Sequence, residues 1–248
     1  MAGHSKWANI KHRKAAADAK KGKLYTKLAR EIESAARQGG GDPELNYTLR
    51  LAVDKAKAEN MPNDNIERAI KRGTGELQGE ELEEVYYEGY GPNGTAMMFK
   101  CLTDNRNRTV GDIRSALRKG GGTLAESGAV AWQFGNKGLI IVPMDGNDPD
   151  EIMLLAIDAG AEDVTVDDDV IEVITAREDL QKVAEFIKGE GIETESVDLA
   201  MIPQHYVELP VDDQIKVMNL IERLEDLDDV QEIYTNVEFS SEALEAVS

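Results

Sequence analysis

The first 27 residues form a basic arm, MAGHSKWANIKHRKAAADAKKGKLYTK, whose side chains suit contact with a polyanion. The arm contains eight lysine and arginine residues and a single acid, Asp18. Its expected nucleic-acid contacts are Lys6, Trp7, Lys11, His12, Arg13, Lys14, Lys20, Lys21 and Lys23. The lysines and the arginine would neutralise phosphates, while Trp7 would either stack on a base or cover the neighbouring helices. A solvated charged face is the alternative to a phosphate-binding surface.

The charge of the rest of the chain favours the phosphate-binding interpretation. Residues 1–75 carry 16 basic and 9 acidic residues, whereas residues 76–248 carry 12 basic and 39 acidic residues, within a net charge of −20. We call residues 76–248 the acidic body. Because like charges repel, only the basic end can approach a polyanion, and the acidic body is expected to face away from it. Basic proteins are a further partner class that this body would suit.

A second polar cluster, LTDNRNRT at residues 102–109, lies between a predicted strand and a predicted helix. Free backbone N–H groups at a helix start, together with Arg106 and Arg108, are typical of a site for a phosphate or carboxylate. Alternatively, Asp104 or Asn105 caps the helix and both arginines pair with nearby acids. Sequence alone leaves both interpretations open.

The remaining motifs do not indicate catalysis. Gly89-x-Gly91-x-x-Gly94 joins two predicted strands, so it predicts a hairpin turn and not a dinucleotide site. The single cysteine, Cys101, lies in an apolar run and is expected to be a buried structural thiol. Neither the histidines nor the acid clusters match metal-ligand spacing. We therefore expect no enzyme activity, cofactor or metal, and a cytoplasmic protein without a membrane segment.

Residues 1–75 have the periodicity of a small helical domain. Helices are predicted over about 8–21, 24–37, 45–59 and 64–73. Gly22 is expected to end the first helix, whose face opposite the cations is almost entirely alanine and therefore buries little area. Asp64 and Glu67 are expected to form a capping box for the last helix.

Strand patterns begin after residue 76. Residues 76–135 predict the order β-β-α-β, with the last strand over 129–134 and Trp132 in its core-facing row. Residues 136–203 predict β-α-β-β-α-β, the ferredoxin-like order, with Thr175 and Glu178 capping its second helix.

The C-terminal elements determine the predicted domain organisation. A helix over 212–226 and a strand over 230–235 cannot bury their apolar faces alone, and residues 76–135 lack a closing helix and strand. We therefore predict a domain of 76–135 plus 206–240, with 136–205 inserted as a ferredoxin-like acidic domain and 241–248 as a polar tail. A small separate C-terminal domain is the alternative. The expected fold class is α+β and multidomain, a helical domain followed by two α/β domains.

Several long motifs resemble the YebC/PmpR family, which has a mitochondrial relative that activates translation of cytochrome c oxidase subunit I. They are MAGHSKWANIKHRK (1–14), GGGDPELN (39–46), AENMPNDNIERAIKRGTG (58–75), YEGYGPNGTA (87–96), LTDNRNRT (102–109) and the segment 121–134. Ala125 and Asn93 depart from the glycines expected at their positions. The resemblance implies one helical and two α/β domains, without an enzyme activity or a cofactor.

Two functions are implied by the resemblance. Members are described as DNA-binding transcriptional regulators, and also as ribosome-associated factors that help translation through proline-rich stretches. The expected partner is therefore either DNA or ribosomal RNA and tRNA. The sequence offers no side chains at nameable major-groove positions, and a basic arm that orders on its target suits structured RNA at least as well.

Overall fold

The computed structural model describes residues 18–79, 81–144, 146–167 and 170–247. Its helices are α1 (Asp18–Gly39), α2 (Tyr47–Ala58), α3 (Asn63–Gly73), α4 (Arg106–Lys119), α5 (Pro149–Ala159), α6 (Leu180–Gly189), α7 (Val211–Glu225) and α8 (Ser241–Ala246). Its strands are β1 (Glu83–Tyr90), β2 (Ala96–Thr103), β3 (Thr123–Leu124), β4 (Phe134–Pro143), β5 (Asp163–Val166), β6 (Val170–Ala176), β7 (Ser196–Pro203), β8 (Val207–Glu208), β9 (Val230–Thr235) and β10 (Val237–Glu238).

Helices α1, α2 and α3 pack around one apolar core, as their periodicity predicts. Leu28 and Ile32 of α1 meet Leu49 of α2 and Ile66 of α3 in this core. Asn46 fixes the loop between α1 and α2. Its side-chain oxygen caps α2, and its side-chain amide donates to the carbonyls of Ala35 and Gly40 at the end of α1.

Two predicted helix boundaries in this region are wrong. Helix α1 continues through Gly22, because the burial of its apolar face outweighs the roughly 1 kcal/mol that glycine costs inside a helix. The capping box of Asp64 and Glu67 does not form, since α3 begins directly after Pro62 and has no side-chain cap. Most of the helix predicted over 8–21 lies outside the described residues.

One four-stranded sheet is built from both ends of the acidic body, in the order β3-β1-β2-β9. β1 and β2 form the predicted hairpin at Gly89–Gly94, and β9 pairs antiparallel with β2. Leu220 and Leu224 of α7 share a core with Phe99 of β2 and Leu117 of α4. This pairing is the arrangement that the proposed insertion of 136–205 requires.

The second four-stranded sheet has the order β5-β6-β4-β7 and uses only consecutive elements. Its helices α5 and α6 pack on β4 and β6 through a core that includes Ile152, Ile171 and Leu180. The β-α-β-β-α-β order with β4 and β6 as central strands confirms the ferredoxin-like unit and the α+β, multidomain class.

The strand predicted over 129–134 and the core position of Trp132 are both wrong. The carboxylate of Glu88 accepts the backbone N–H groups of Gly128, Val130 and Ala131, at 2.6–2.8 Å, and so turns the chain before β4 begins. Trp132 therefore lies in a short 3-10 turn with 68% of its surface exposed. Burial tends to raise the pKa of Glu88, but the three backbone hydrogen bonds outweigh it and lower that pKa.

Two further local predictions are corrected. Thr175 lies in β6 and its hydroxyl donates to the Ala176 carbonyl, so it does not cap α6, which starts after a 3-10 turn. The segment predicted as a polar tail includes α8, and its Ala243 and Leu244 are buried in the same core as α7. Two apolar residues in a short acidic stretch give too weak a pattern to identify such a helix.

Candidate nucleic-acid interface

The predicted nucleic-acid contacts fall on both sides of the point where the described chain begins. The side chains of seven of them lie outside the described residues: Lys6, Trp7, Lys11, His12, Arg13, Lys14 and Lys20. Lys21 and Lys23 are exposed on the first turns of α1. The structure thus places two of the predicted cations at one end of the helical region.

Lys21 and Lys23 have different surroundings. Lys21 forms no ion pair with another described residue, whereas the Lys23 ammonium lies 3.5 Å from the Asp226 carboxylate. The side chains of this pair are 54% and 77% exposed, respectively. An ion pair this exposed contributes at most about 1 kcal/mol, so a phosphate can compete with Asp226 for Lys23.

The side of α1 that follows Lys23 contacts the acidic body. The Lys27 ammonium donates to the Glu225 carbonyl at 2.6 Å, and the Arg30 guanidinium donates to the Asp228 carbonyl at 3.1 Å. These carbonyls lie at and just beyond the end of α7, where backbone oxygens lack intrahelical partners and the helix dipole is negative. Part of the basic charge of α1 is therefore used to attach the helical region to the body.

Asp229 is the centre of this attachment. Its carboxylate accepts hydrogen bonds from Arg108 at 2.9 Å, from the Thr109 hydroxyl at 2.8 Å and from Arg30 at 3.0 Å. Burial tends to raise the pKa of Asp229, but the hydrogen bonds from Arg108 and Thr109 outweigh it, and the pKa is lowered. The motif at 102–109 thus connects α4, the loop before β9 and α1.

The predicted anion site at Arg106 and Arg108 is surrounded by carboxylates. Arg106 donates to Glu83 at 2.6 Å, and Arg108 donates to Asp104 at 2.7 Å in addition to Asp229. Asn105 caps α4 through its side chain. These contacts match the local-pairing alternative, and an external anion at this position stays a prediction that requires the carboxylates to be displaced.

A second charged cluster lies where the helical region meets both sheets. The Lys55 ammonium on α2 is 2.9 Å from Glu232 on β9, 3.5 Å from Glu31 on α1 and 4.0 Å from Asp198 on β7. Lys100 pairs with Glu84 on the same side. We call Glu31, Lys55, Glu84, Lys100, Asp198 and Glu232 the junction cluster; together they line a cavity of about 60 Å³.

The pKa values of the junction cluster reflect the pairing of its lysines with carboxylates. Burial alone would lower the pKa of Lys55, but Glu232, Glu31 and Asp198 outweigh it and raise that pKa well above its usual value. Burial would raise the pKa of Glu232, yet Lys55 and Lys100 lower it to about 2. The four carboxylates share only two lysines, and burial together with Glu232 and Glu31 outweighs Lys55 and raises the pKa of Asp198. Both lysines are engaged by carboxylates, so the cluster contributes no free cation to a nucleic-acid surface.

Sequence reasoning missed a set of cations on α2 and α3. Lys57, Arg68 and Lys71 are exposed and Arg72 is half-buried, and none of them forms an ion pair with another described residue. The sequence offered one indication of their exposure, since residues 68, 71 and 72 lie off the apolar face of α3. These cations are scattered along the chain, whereas those of the arm form a dense cluster.

Within the part of the chain that the structure describes, no group of three or more potential ligands is arranged to bind a metal ion. Over the same residues, none of the helices combines the length and apolar character needed to cross a membrane.

Comparison with known proteins identifies the family. Residues 5–76 match the TACO1/YebC protein N-terminal domain, and residues 82–237 match the TACO1/YebC second and third domain. A protein of Persephonella marina is 54% identical over 250 residues, which is 100% of both chains. A protein of Halothermothrix orenii is 52% identical over 253 residues, covering 100% of this chain and 99% of that protein. Both relatives are named "Probable transcriptional regulatory protein".

A solved structure supports the fold. The crystal structure of the conserved hypothetical protein Aq1575 from Aquifex aeolicus matches with a TM-score of 0.83 and 44% identity, over 90% of this chain and 93% of that one. The chain therefore belongs to the TACO1/YebC family.

Proposed function

We propose that this TACO1/YebC family member is a non-enzymatic, nucleic-acid-binding regulator of gene expression that binds through its basic helical region. The observation that carries the proposal is the separation of charge, with 16 basic and 9 acidic residues in 1–75 against 12 and 39 in 76–248. The relatives' name, probable transcriptional regulatory protein, supports DNA as the partner.

The binding surface combines the arm with α1, α2 and α3. In this proposal Lys6, Lys11, Arg13, Lys14, Lys20 and Lys21 neutralise phosphates, Lys23 exchanges Asp226 for a phosphate, and Trp7 stacks or inserts. Lys57, Arg68 and Lys71 extend the same positive surface. The junction cluster and the Asp229 contacts fix this surface relative to the acidic body, which suits basic proteins such as those of the ribosome.

The second candidate function is that of a ribosome-associated, RNA-binding translation factor acting at proline-rich stretches. It is favoured by a cleft between α1 and α3 that is lined by an aromatic ring and arginines, because unpaired bases are far more accessible in folded RNA than in duplex DNA. Neither candidate requires a cofactor.

Sedimentation distinguishes the two candidates. Lysate expressing the full chain is fractionated on sucrose gradients with and without RNase, beside a Lys11→Ala/Arg13→Ala/Lys14→Ala variant. Transcriptional regulation predicts a free pool and sequence-selective duplex binding in purified form. Translation predicts co-migration with ribosomes that RNase and the triple substitution both abolish. If the protein bound neither ribosomes nor any DNA or RNA, the proposed function would be wrong.

A further inference from the structure

A cleft of about 630 Å³ lies between α1 and α3, apart from the junction cluster. Tyr25 of α1 and Met61, from the turn before α3, contribute its apolar lining. Asn65, Arg68 and Arg72 of α3 contribute polar lining. Its volume falls within the range of about 300–1,000 Å³ that is usual for small-molecule sites.

Helical spacing explains why these polar side chains share one wall. Asn65, Arg68 and Arg72 occur at positions i, i+3 and i+7, which lie on one face of a helix. Ile66 and Ala69 lie on another face and are buried in the helical core. Packing of α3 against α1 therefore turns an amide and two guanidinium groups toward the cleft.

The aromatic ring is held in place from its far end. The Tyr25 hydroxyl donates to the Asn60 carbonyl at 2.8 Å, and this bond ties the side chain to the turn that precedes α3. The side chain is half-buried and packs against the helical core. A ring positioned in this way loses little conformational entropy when a planar group stacks on it.

The charges that line the cleft favour an anion. Arg68 and Arg72 form no ion pair with any residue that the structure describes, whereas Arg30, also at the cleft, is engaged by Asp229. Among the described lining residues Glu33 is the one carboxylate; it is buried and accepts from Arg37 at 3.2 Å. The two guanidinium groups are therefore the cations available to a ligand.

We infer that this cleft binds one unpaired nucleotide of a single-stranded nucleic acid. The base stacks on Tyr25, and Arg68 and Arg72 bind the phosphate. The side chains of Asn65 and of Gln78, which also lines the cleft, contact the edge of the base. A base within a duplex is stacked on its neighbours, so only an unpaired or displaced base presents a face to the ring. The inference rests on the proposed nucleic-acid binding and adds to it the strandedness of the partner.

Paired variants test the phosphate contacts. Fluorescence anisotropy is measured with the full chain and three labelled probes, a 12-nucleotide uridine-rich RNA, its DNA counterpart and the corresponding DNA duplex. Arg68→Gln/Arg72→Gln is compared with Lys57→Gln/Lys71→Gln, which removes two exposed charges of the same region outside the cleft. We expect the cleft variant to bind single strands about tenfold or more weakly, and the control about threefold or less.

Measurements with the DNA duplex probe distinguish binding in the cleft from binding to the general positive surface. Duplex binding is expected to respond equally to the two double variants, because a duplex contacts both sets of charges only through its backbone. Equal loss of single-strand binding in both variants would overturn the cleft assignment while leaving the proposed function intact. Failure of the unsubstituted chain to bind any probe would overturn both. Comparison of the RNA and DNA strands identifies which sugar the cleft accepts.

Substitution of Tyr25 tests the stacking contact. Tyr25→Leu keeps an apolar side chain for the core and is expected to lose about tenfold in single-strand affinity, while Tyr25→Phe keeps the ring and restores binding to within about threefold. Melting temperatures of both variants control for folding. In addition, an RNA that contains 4-thiouridine is crosslinked by light and the product mapped by mass spectrometry. Crosslinks to Tyr25 or Met61 support the cleft, whereas crosslinks confined to other residues contradict it.

Discussion

Lys55 and Lys57 are two residues apart on the same helix, yet they have opposite roles. Lys55 lies among Glu31, Asp198 and Glu232 and joins two helices to two sheets. Lys57 is exposed and forms no ion pair with any described residue. A step of two residues turns a side chain by about 200° around an α-helix, so one lysine faces the acidic body and the other faces solvent.

The same division applies to the arginines. Arg30 and Arg108 converge on Asp229, whereas Arg68 and Arg72 lie at a cleft without an ion-pair partner among the described residues. The positive charge of the helical region is therefore divided between cations that contact the acidic body and cations without an ion-pair partner among the described residues. Net charge alone does not separate them, since partners of the attached cations lie far along the chain.

The largest expected effect is on attachment through Asp229. Asp229→Ala removes the carboxylate that Arg30 and Arg108 contact. It also removes one of the hydrogen-bond partners of the buried Thr109 hydroxyl. We expect the free energy of unfolding to fall by about 3 kcal/mol. Asp228→Ala is the matched control, because Asp228 contacts Arg30 through its backbone carbonyl and its exposed side chain is expected to matter by about 0.5 kcal/mol or less. Urea unfolding followed by circular dichroism measures both. Equal effects would show that Asp229 has no special role.

The comparison of Lys55 with Lys57 is expected to give the next largest difference. Lys55→Met leaves three carboxylates close together, and because the side chain is 36% exposed, solvent screening reduces the expected loss to about 2 kcal/mol. Lys57→Met is expected to change stability by about 0.5 kcal/mol or less. Thermal and urea unfolding of the two variants provide the test. A stability difference under the measurement error would contradict the junction role.

The contribution of Asp229 is expected to depend on pH. Its pKa in the folded protein lies below the usual 3.8, so the stabilisation is fully present above pH 3.8 and is lost as the pH falls through the lowered pKa. The difference in unfolding free energy between the unsubstituted chain and Asp229→Asn should therefore be constant between pH 6 and pH 5. It should shrink as the pH approaches 3. A difference that grows toward acid pH would reverse the proposed sign.

Lys21 and Lys23 provide the smallest contrast. If each binds one phosphate, its replacement by alanine lowers the slope of log affinity against log salt concentration by about 1. Lys21→Ala is expected to show this full change, whereas Lys23→Ala shows less, because Lys23 exchanges Asp226 for the phosphate. Salt titrations by anisotropy measure both slopes. A larger effect of Lys23 would mean that its contact with Asp226 does not persist in solution.

Local pattern was sufficient to predict much of the fold. The apolar period of 3.6 identified α2, α4 and α7, and the sequence of strand-like and helical segments over 136–203 predicted the ferredoxin-like order. The proposal that the C-terminal helix and strand complete the unit of residues 76–135 followed from a physical argument, since a lone helix and strand cannot bury their apolar faces. The pairing of β9 with β2 in particular was not predicted. The periodic patterns of single helices and strands are encoded within a dozen residues and are therefore visible in sequence.

The errors arose where distant residues determine local structure. Trp132 is exposed because Glu88, more than forty positions earlier, accepts the N–H groups of its turn. Lys55 differs from Lys57 because of Glu232, 177 positions later. The candidate contacts of the arm were visible as a dense cluster, whereas Arg68 and Arg72 gain meaning only from the cleft formed by packing of α3 on α1.

The salt dependence of binding tests the central claim most directly. If the helical region neutralises about six phosphates, the affinity of the full chain should fall by about 10³-fold between 50 and 200 mM salt. The Lys11→Ala/Arg13→Ala/Lys14→Ala variant should bind more weakly and with a shallower slope, at an unchanged melting temperature. An affinity that changes less than about threefold over this range would contradict a phosphate-binding surface.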